Sequence, residues 1–348
     1  MTARSYLDWN ATAPLRPEAR DAMIAAMDVV GNPSSVHAEG RAAKGLMERA
    51  RAQIAEAFGA SGADIVFTSG ATEAAALALA GRDLAAAGIE HDAVAAWTSD
   101  GLAADAEGRV TVADPAASTL QKANGETGVV QTLPAGLAVS DFTQAFGKIP
   151  VSFAWSGVEM ALLSAHKLGG PKGVGALVLR QGLDVTARIR GGGQEMGRRS
   201  GTENLIGIAG FGAAAEAAQR ELADGTWDRV AALRDRLEAR LADAAPDTIF
   251  LGKGAPRLPN TSNFAVPGWK GETQVMQMDL AGFAVSSGAA CSSGKVKASR
   301  ALLAMGRDET VAGSAIRVSM GPETTEEEIM RFADAWEAQY RRHKARAA

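Results

Sequence analysis

The run Met160-Ala161-Leu162-Leu163-Ser164-Ala165-His166-Lys167-Leu168-Gly169-Gly170-Pro171-Lys172-Gly173-Val174-Gly175-Ala176-Leu177-Val178-Leu179 decides the architecture. Two short apolar pieces, Met160 to Leu163 and Val174 to Leu179, flank a stretch rich in Gly and Pro, which predicts two strands separated by a turn. A lysine at the end of a buried strand loses hydration, and that depresses its pKa and makes its amine a nucleophile for carbonyl carbon, able to form a Schiff base. Lys167 stands in that place. Most lysines are solvated surface groups, so its neighbours have to decide.

Upstream, Ile65-Val66-Phe67-Thr68 is a short β-type run that breaks at Ser69-Gly70 and restarts as an Ala-rich helical stretch from Ala71 to Ala80. In Ser69-Gly70-Ala71-Thr72-Glu73 a strand feeds a helix, so unpaired N–H groups around Ala71 and the Thr72 hydroxyl converge where a phosphate can sit; a Thr that merely caps the helix is the plain alternative. Asp141 follows the apolar run Leu137-Ala138-Val139 and is expected at the carboxyl end of a strand, where ligands of α/β sheets gather. A phosphate cup, a Schiff-base lysine and a buried carboxylate are together the parts that hold pyridoxal 5'-phosphate. Gln144, three residues on, can donate to the ring's phenolic oxygen.

Helices are expected over Pro17 to Val30, Glu39 to Ala60, Asn204 to Leu222 and Trp227 to Ala245. Further strands are expected over Asp247 to Leu251, Thr261 to Val266, Phe283 to Ser286 and Ala315 to Met320, and residues 82 to 124 carry little periodic signal. A last helix opens at Thr324-Thr325-Glu326-Glu327-Glu328, where a Thr cap with Glu three residues later makes a capping box. The final RRHKARAA is expected to be a frayed, solvated end. The pattern is an α/β domain followed by a smaller α+β domain. The expected division is 13–223 for the large cofactor-binding domain, with 1–12 and 224–348 forming the small one.

The 348 residues allow about two domains at ~150 residues each. With 36 Lys+Arg against 40 Asp+Glu, the net charge of −4 offers no basic field for nucleic acid or anionic lipid. No apolar stretch reaches the ~20 residues that span a bilayer, and MTARSYLDWN lacks a secretory signal, so the cytoplasm is the expected compartment. One cysteine excludes an internal disulfide and thiolate metal clusters, and no histidine has metal-ligand spacing. His91 and His166 can stack on a ring or carry protons near neutral pH. Cys291 lies in Ser286-Ser287-Gly288-Ala289-Ala290-Cys291-Ser292-Ser293-Gly294, whose small residues read as a mobile loop bearing a reactive thiol. Arg317 can fork onto a substrate carboxylate.

Taken in order, these segments resemble the NifS/IscS-type cysteine desulfurases, class V members of the fold-type-I pyridoxal phosphate enzymes. The resemblance covers nearly the whole chain. It runs through Tyr6-Leu7-Asp8-Trp9-Asn10-Ala11-Thr12-Ala13-Pro14, Gly31-Asn32-Pro33-Ser34-Ser35-Val36-His37, the Ser69 and Ser164 segments, Asn124-Gly125-Glu126-Thr127-Gly128, Gly191-Gly192-Gly193-Gln194-Glu195, Arg199-Ser200-Gly201-Thr202 and the cysteine loop.

The resemblance implies a large domain with a mainly parallel sheet and a smaller α+β carboxyl-terminal domain. It implies that Lys167 holds the cofactor as an internal aldimine, that Asp141 pairs with the pyridine nitrogen, that Gln144 contacts the phenolic oxygen and that His91 stacks on the ring. Thr72, Ser164 and His166 would hold the phosphate, joined by Thr202 from the other subunit of a homodimer. Arg317, Asn10 and Asn124 would meet the substrate. Cys291 would take sulfur from L-cysteine as a persulfide, leaving L-alanine, and pass it to an acceptor protein such as an iron–sulfur scaffold. His91 and Lys167 would carry the protons. Gly125 stands where the family usually has a second Asn, Met196 where an Arg is usual, Ala74-Ala75-Ala76 replaces a more polar run, and the stretch from Thr72 to Asn124 is shortened. The rival readings are a selenocysteine lyase or another aminotransferase of the class, and a degenerate paralogue acting as a binding scaffold.

Overall fold

The computed structural model of the chain describes residues 4–288 and 298–347. The two strands flanking the lysine, Met160–Ser164 and Gly175–Leu179, pair antiparallel in the middle of a sheet ordered Asp64–Thr68, Gly175–Leu179, Met160–Ser164, Ser140–Asp141. Ser140–Asp141 runs parallel to Met160–Ser164, and parallel bridges Thr119 to Val139 and Ala85 to Ser118 continue the sheet to the parallel pair Ala85–Ala87 and Ser99–Leu102. Only Gly175–Leu179 opposes its neighbours, so the sheet is mainly parallel. Its central strands are buried along their whole length, as expected when helices cover both faces. The low-signal segment 82–124 thus supplies an edge of the sheet: a strand of three alanines has no β-branched residue to announce it.

Helices Ala38–Ala57 and Leu205–Ala223 pack closely together, helped by Gly212, where an added Cβ would lie 2.8 Å from the Ala50 Cα. Beneath the Asp141 end of the sheet, Phe58 meets Phe142, Phe146 and Phe153 with ring centroids 5.1, 5.0 and 5.9 Å apart. These rings stiffen the floor from which Asp141 and Gln144 project.

A second antiparallel sheet is ordered Ser286–Ser287, Ala315–Ser319, Thr261–Ala265, Ile249–Phe250. It packs on helices Thr226–Ala244 and Glu326–Ala347 around Phe264, Trp269, Phe332 and Trp336. Leu7 joins this second core, and strand Ser5–Tyr6 pairs parallel with Phe283–Ala284. The stretch Phe283 to Ser286, expected as one strand, is divided: Phe283–Ala284 pairs with the chain's beginning, Ser286–Ser287 with the edge of the sheet. The tail also departs from expectation. It continues the last helix to Ala347, with His343 stacked on Trp269 at 5.3 Å and Lys344 paired to Asp247 at 2.6 Å.

The capping box is present: Thr325 N donates to Glu328 Oε2 at 2.9 Å and Glu328 N donates to Thr325 Oγ1 at 3.3 Å. Thr325→Ala removes both the cap acceptor and the reciprocal geometry, and is expected to cost about 1 kcal/mol in chemical denaturation. An unchanged midpoint would show that the helix is held by its buried face alone.

Candidate active site

Lys167 closes a short 3-10 turn, Ala165–Lys167, just past the carboxyl end of Met160–Ser164. Gly169 turns the chain at φ 85°, and Gly170 N donates back to Ala165 O at 2.9 Å, fixing the lysine against the strand end. Its Nζ donates to the carbonyls of Asn10 and Ala11 at 2.8 and 2.9 Å. Burial first, then the nearby Arg317 guanidinium, pulls its pKa down to about 8, against the opposing pull of Asp141 and Asp8. His166 contacts Thr12 Oγ1 through Nδ1 at 3.1 Å. Burial, and the cations Lys167, Lys172 and Lys148, lower its pKa to about 4, so the ring is neutral at pH 7.

The amine faces a cavity of about 630 Å³ at the carboxyl ends of the parallel strands, the place where α/β sheets bind ligands. One end is an anion cradle. Helix Ala71–Leu79 starts there with Gly70 as N-cap and no side-chain cap bond, so its first N–H groups and its positive end face the cavity beside Thr72, Ser164, His166 and Lys172. The turn rests on Gly175, where a Cβ would lie 2.6 Å from the Gly70 Cα; a side chain there would push the cradle out of place. At the other end lie Asp141, whose Oδ1 accepts from Thr143 N at 2.8 Å, and Gln144. Val94, Leu162 and Ala123 supply apolar wall. Thr143 Oγ1 is buried in the same wall without a hydrogen-bond partner, as happens where a ligand completes a site. Anion cradle, apolar slot, carboxylate and low-pKa amine together suit a flat, phosphate-bearing aldehyde.

Of the residues singled out from the sequence, Lys167, Ala71, Thr72, His91, Asp141, Gln144, Ser164 and His166 line this cavity. His91 Nδ1 accepts from Ala93 N at 3.1 Å, which fixes the ring at the start of the short helix Asp92–Ala95. Thr202 lies instead in an adjoining cavity of about 90 Å³, with Ser69, Gly173 and Arg199. Asn10, Asn124 and Arg317 do not line the main cavity. The Asn10 side chain is buried and occupied: Nδ2 donates to Gly125 O at 3.1 Å and Thr261 Oγ1 at 2.8 Å, while Oδ1 accepts from Lys148 and Asn260. Asn124 shapes its own loop, its Oδ1 accepting from Glu126 N and Thr127 N. Arg317 sits behind Gly125, donating to Gly125 O at 2.9 Å and to Asp8 Oδ1 at 2.7 Å; its Nε is buried and unpartnered. Cys291 lies outside the described residues.

Sequence reading missed Thr12, Gln121 and Lys172 in the wall, and Lys148 behind it. It also missed two buried acids. Burial raises the pKa of Glu90 to about 8 and that of Glu126 to about 7; Gln121 N donates to Glu90, and Ser299 Oγ to Glu126. Among the described residues no group of His, Cys, Asp and Glu could hold a metal ion, and no helix is long and apolar enough to cross a membrane.

The class-V aminotransferase family profile matches residues 5–99 and 119–332. A cysteine desulfurase of Cereibacter sphaeroides is 40% identical, over 95% of this chain and 94% of that protein. A cysteine desulfurase of Gluconacetobacter diazotrophicus is 39% identical, over 94% of this chain and 91% of that protein. The crystal structure of a NifS-like protein from Rickettsia africae superposes with a TM-score of 0.87 at 31% identity, covering 97% of this chain and 99% of that one. By fold, by sequence along nearly its whole length and by the arrangement around Lys167, the chain belongs to the class-V aminotransferase family and, within it, to the NifS-type cysteine desulfurases.

Proposed function

We propose that the protein is a pyridoxal phosphate-dependent cysteine desulfurase that takes sulfur from L-cysteine, leaves L-alanine and carries the sulfur on Cys291 to an acceptor protein. The observation that carries this reading is Lys167, an amine with its pKa pulled down to about 8, set between an anion cradle and Asp141. Pyridoxal phosphate, when bound there, supplies an aldehyde for the amine and a ring that draws electrons from the substrate's Cα.

The chain's own groups have the remaining tasks. The N–H groups at Ala71, with Thr72, Ser164 and the neutral His166, hold the phosphate, and Thr202 of a second copy of the chain reaches the same end. Asp141 keeps the pyridine nitrogen protonated, Gln144 donates to the phenolic oxygen, and His91 covers the ring face. Lys167, once displaced by substrate, takes the Cα proton on Nζ. The carbonyls of Asn10 and Ala11, which accept from that nitrogen, keep it near the reacting carbon. Arg317, which stands behind Gly125, receives the substrate carboxylate by exchanging its Nη bonds to Gly125 O and Asp8 Oδ1 for it. Asn10 and Asn124, already engaged within the protein, act by positioning and make no substrate contact of their own. An iron–sulfur scaffold or a thiolation partner then takes the sulfur from Cys291.

The test is Cys291→Ala. Incubated with L-cysteine and reductant, the variant is expected to lose sulfide release by at least ~10³-fold, as when a nucleophile is removed, while the cofactor's visible band stays as in wild type. Undiminished sulfide release would move the assignment to another activity of the class. No visible band in the wild type with added cofactor would favour a scaffold.

A further inference from the structure

Lys148 is 3% exposed, in the wall behind the cavity, and has no role in the mechanism above. Its Nζ donates to Gln144 Oε1 at 2.6 Å and to Asn10 Oδ1 at 2.9 Å. Both acceptors are carboxamide oxygens. A carboxamide is nearly symmetric in shape, so which end presents a donor depends on its partners. With Oε1 held by Lys148, Gln144 turns its Nε2 the other way; that nitrogen donates one proton to Asn10 O at 2.9 Å and keeps the second for the cavity. With Oδ1 held by Lys148 and by Asn260 Nδ2, Asn10 turns its Nδ2 toward Thr261 Oγ1 and Gly125 O, the carbonyl that also accepts from Arg317.

We propose that Lys148 is a positioning residue that sets the orientation of the Gln144 amide, giving it a donor toward the cofactor's ring oxygen, and that joins Asn260 in orienting Asn10 toward Gly125. This rests on the reading that pyridoxal phosphate fills the cavity. Burial, with Lys167 and Arg317 close by, holds the Lys148 ammonium well below the usual lysine range. Losing that proton does not undo the arrangement, because a neutral amine still has two N–H groups for the two oxygens. Gly125 adds to the argument: a Cβ there would lie 3.3 Å from Gln144 Nε2, so the bare glycine leaves the amide's donor edge uncrowded and its orientation to Lys148.

The experiment is a double-mutant cycle on the full chain with Lys148→Met and Gln144→Ala, alone and combined. Two quantities are read: the Kd for pyridoxal phosphate added to cofactor-free protein, and the pH midpoint of the visible band. Lys148→Met is expected to weaken binding about tenfold, the equivalent of one lost oriented hydrogen bond. It is also expected to raise the midpoint, since a ring oxygen without its donor holds the neighbouring proton more tightly. In the Gln144→Ala background the same substitution is expected to change Kd less than about twofold and leave the midpoint in place. Equal losses in both backgrounds, or none in either, overturn the inference while leaving the function intact. A wild type that binds no cofactor overturns both. If the methionine variant does not fold, Lys148→Gln, whose terminal nitrogen stands one bond nearer the backbone than the lysine Nζ, takes its place in the cycle with the same expected asymmetry.

Discussion

Lys167→Ala is expected to abolish turnover of L-cysteine, by ~10³-fold or more, and to remove the visible band of the covalently held cofactor. The size of the effect follows from the site. Lowering a lysine pKa from 10.5 to about 8 raises the fraction of neutral amine at pH 7 about 300-fold. Among the cavity-lining residues the other lysine is Lys172, which is exposed and lies by the anion cradle. In the wild type, borohydride treatment followed by peptide mapping is expected to find the cofactor fixed on position 167. A label on a different lysine, or persistent activity in Lys167→Ala, would remove the basis of the functional assignment.

Arg51→Met is expected to cost about 3 kcal/mol of stability in urea or guanidinium denaturation. Glu195 has a side chain only 1% exposed, and its carboxylate accepts from Arg51 Nη1 and Nη2 at 3.1 and 3.0 Å and from Phe67 N at 3.0 Å. Burial alone would lower the Arg51 pKa, but Glu195 outweighs it and the guanidinium is held above its ordinary value. Removing one member leaves the other charge buried and unpaired, which costs about 3–5 kcal/mol; the lower end applies because a fifth of the Arg51 side chain still meets water. Glu195 and Met196 also sit at φ 49° and 57°, a region unfavourable for residues with a Cβ. The ion pair, with Arg198 Nη1 donating to Asp64 Oδ2 at 2.8 Å, holds this turn against strand Asp64–Thr68, next to Arg199 and Thr202. Arg51→Lys keeps the charge without the fork and is expected to recover part of the loss. Equal stability of Arg51→Met and wild type would place the anchoring of the turn elsewhere.

Much of this architecture was legible because the deciding strands are short apolar runs closed by turn residues. Met160–Ser164 and Gly175–Leu179 differ from their expected bounds by a single residue each. Ala85–Ala87 was not legible, since three alanines read as easily as helix. The tail's charges told correctly of solvent, but not of the helix that continues through it, because Lys344 and His343 find Asp247 and Trp269 only once the chain has folded. In the cavity, residues next to turn signals could be found by position along the chain. Lys148 could not: nothing local separates a buried lysine from a solvated one, and its four-residue spacing from Gln144 gains meaning only when Asn10, far off in sequence, comes to lie against both. The same distance misled in the other direction for Asn10 and Asn124, whose amides sequence reading left available for substrate and the fold spends on backbone and neighbouring side chains.

Strand Ser5–Tyr6 is sewn to Phe283–Ala284, yet four residues later the same thread offers its carbonyls to Lys167. The opening of the polypeptide is therefore a strap buckled to one layer and laid across the reactive amine of the other. Any sliding of the two layers past each other tugs on the nitrogen's resting place, because Asn10 and Ala11 hang from the strand that the second layer pins.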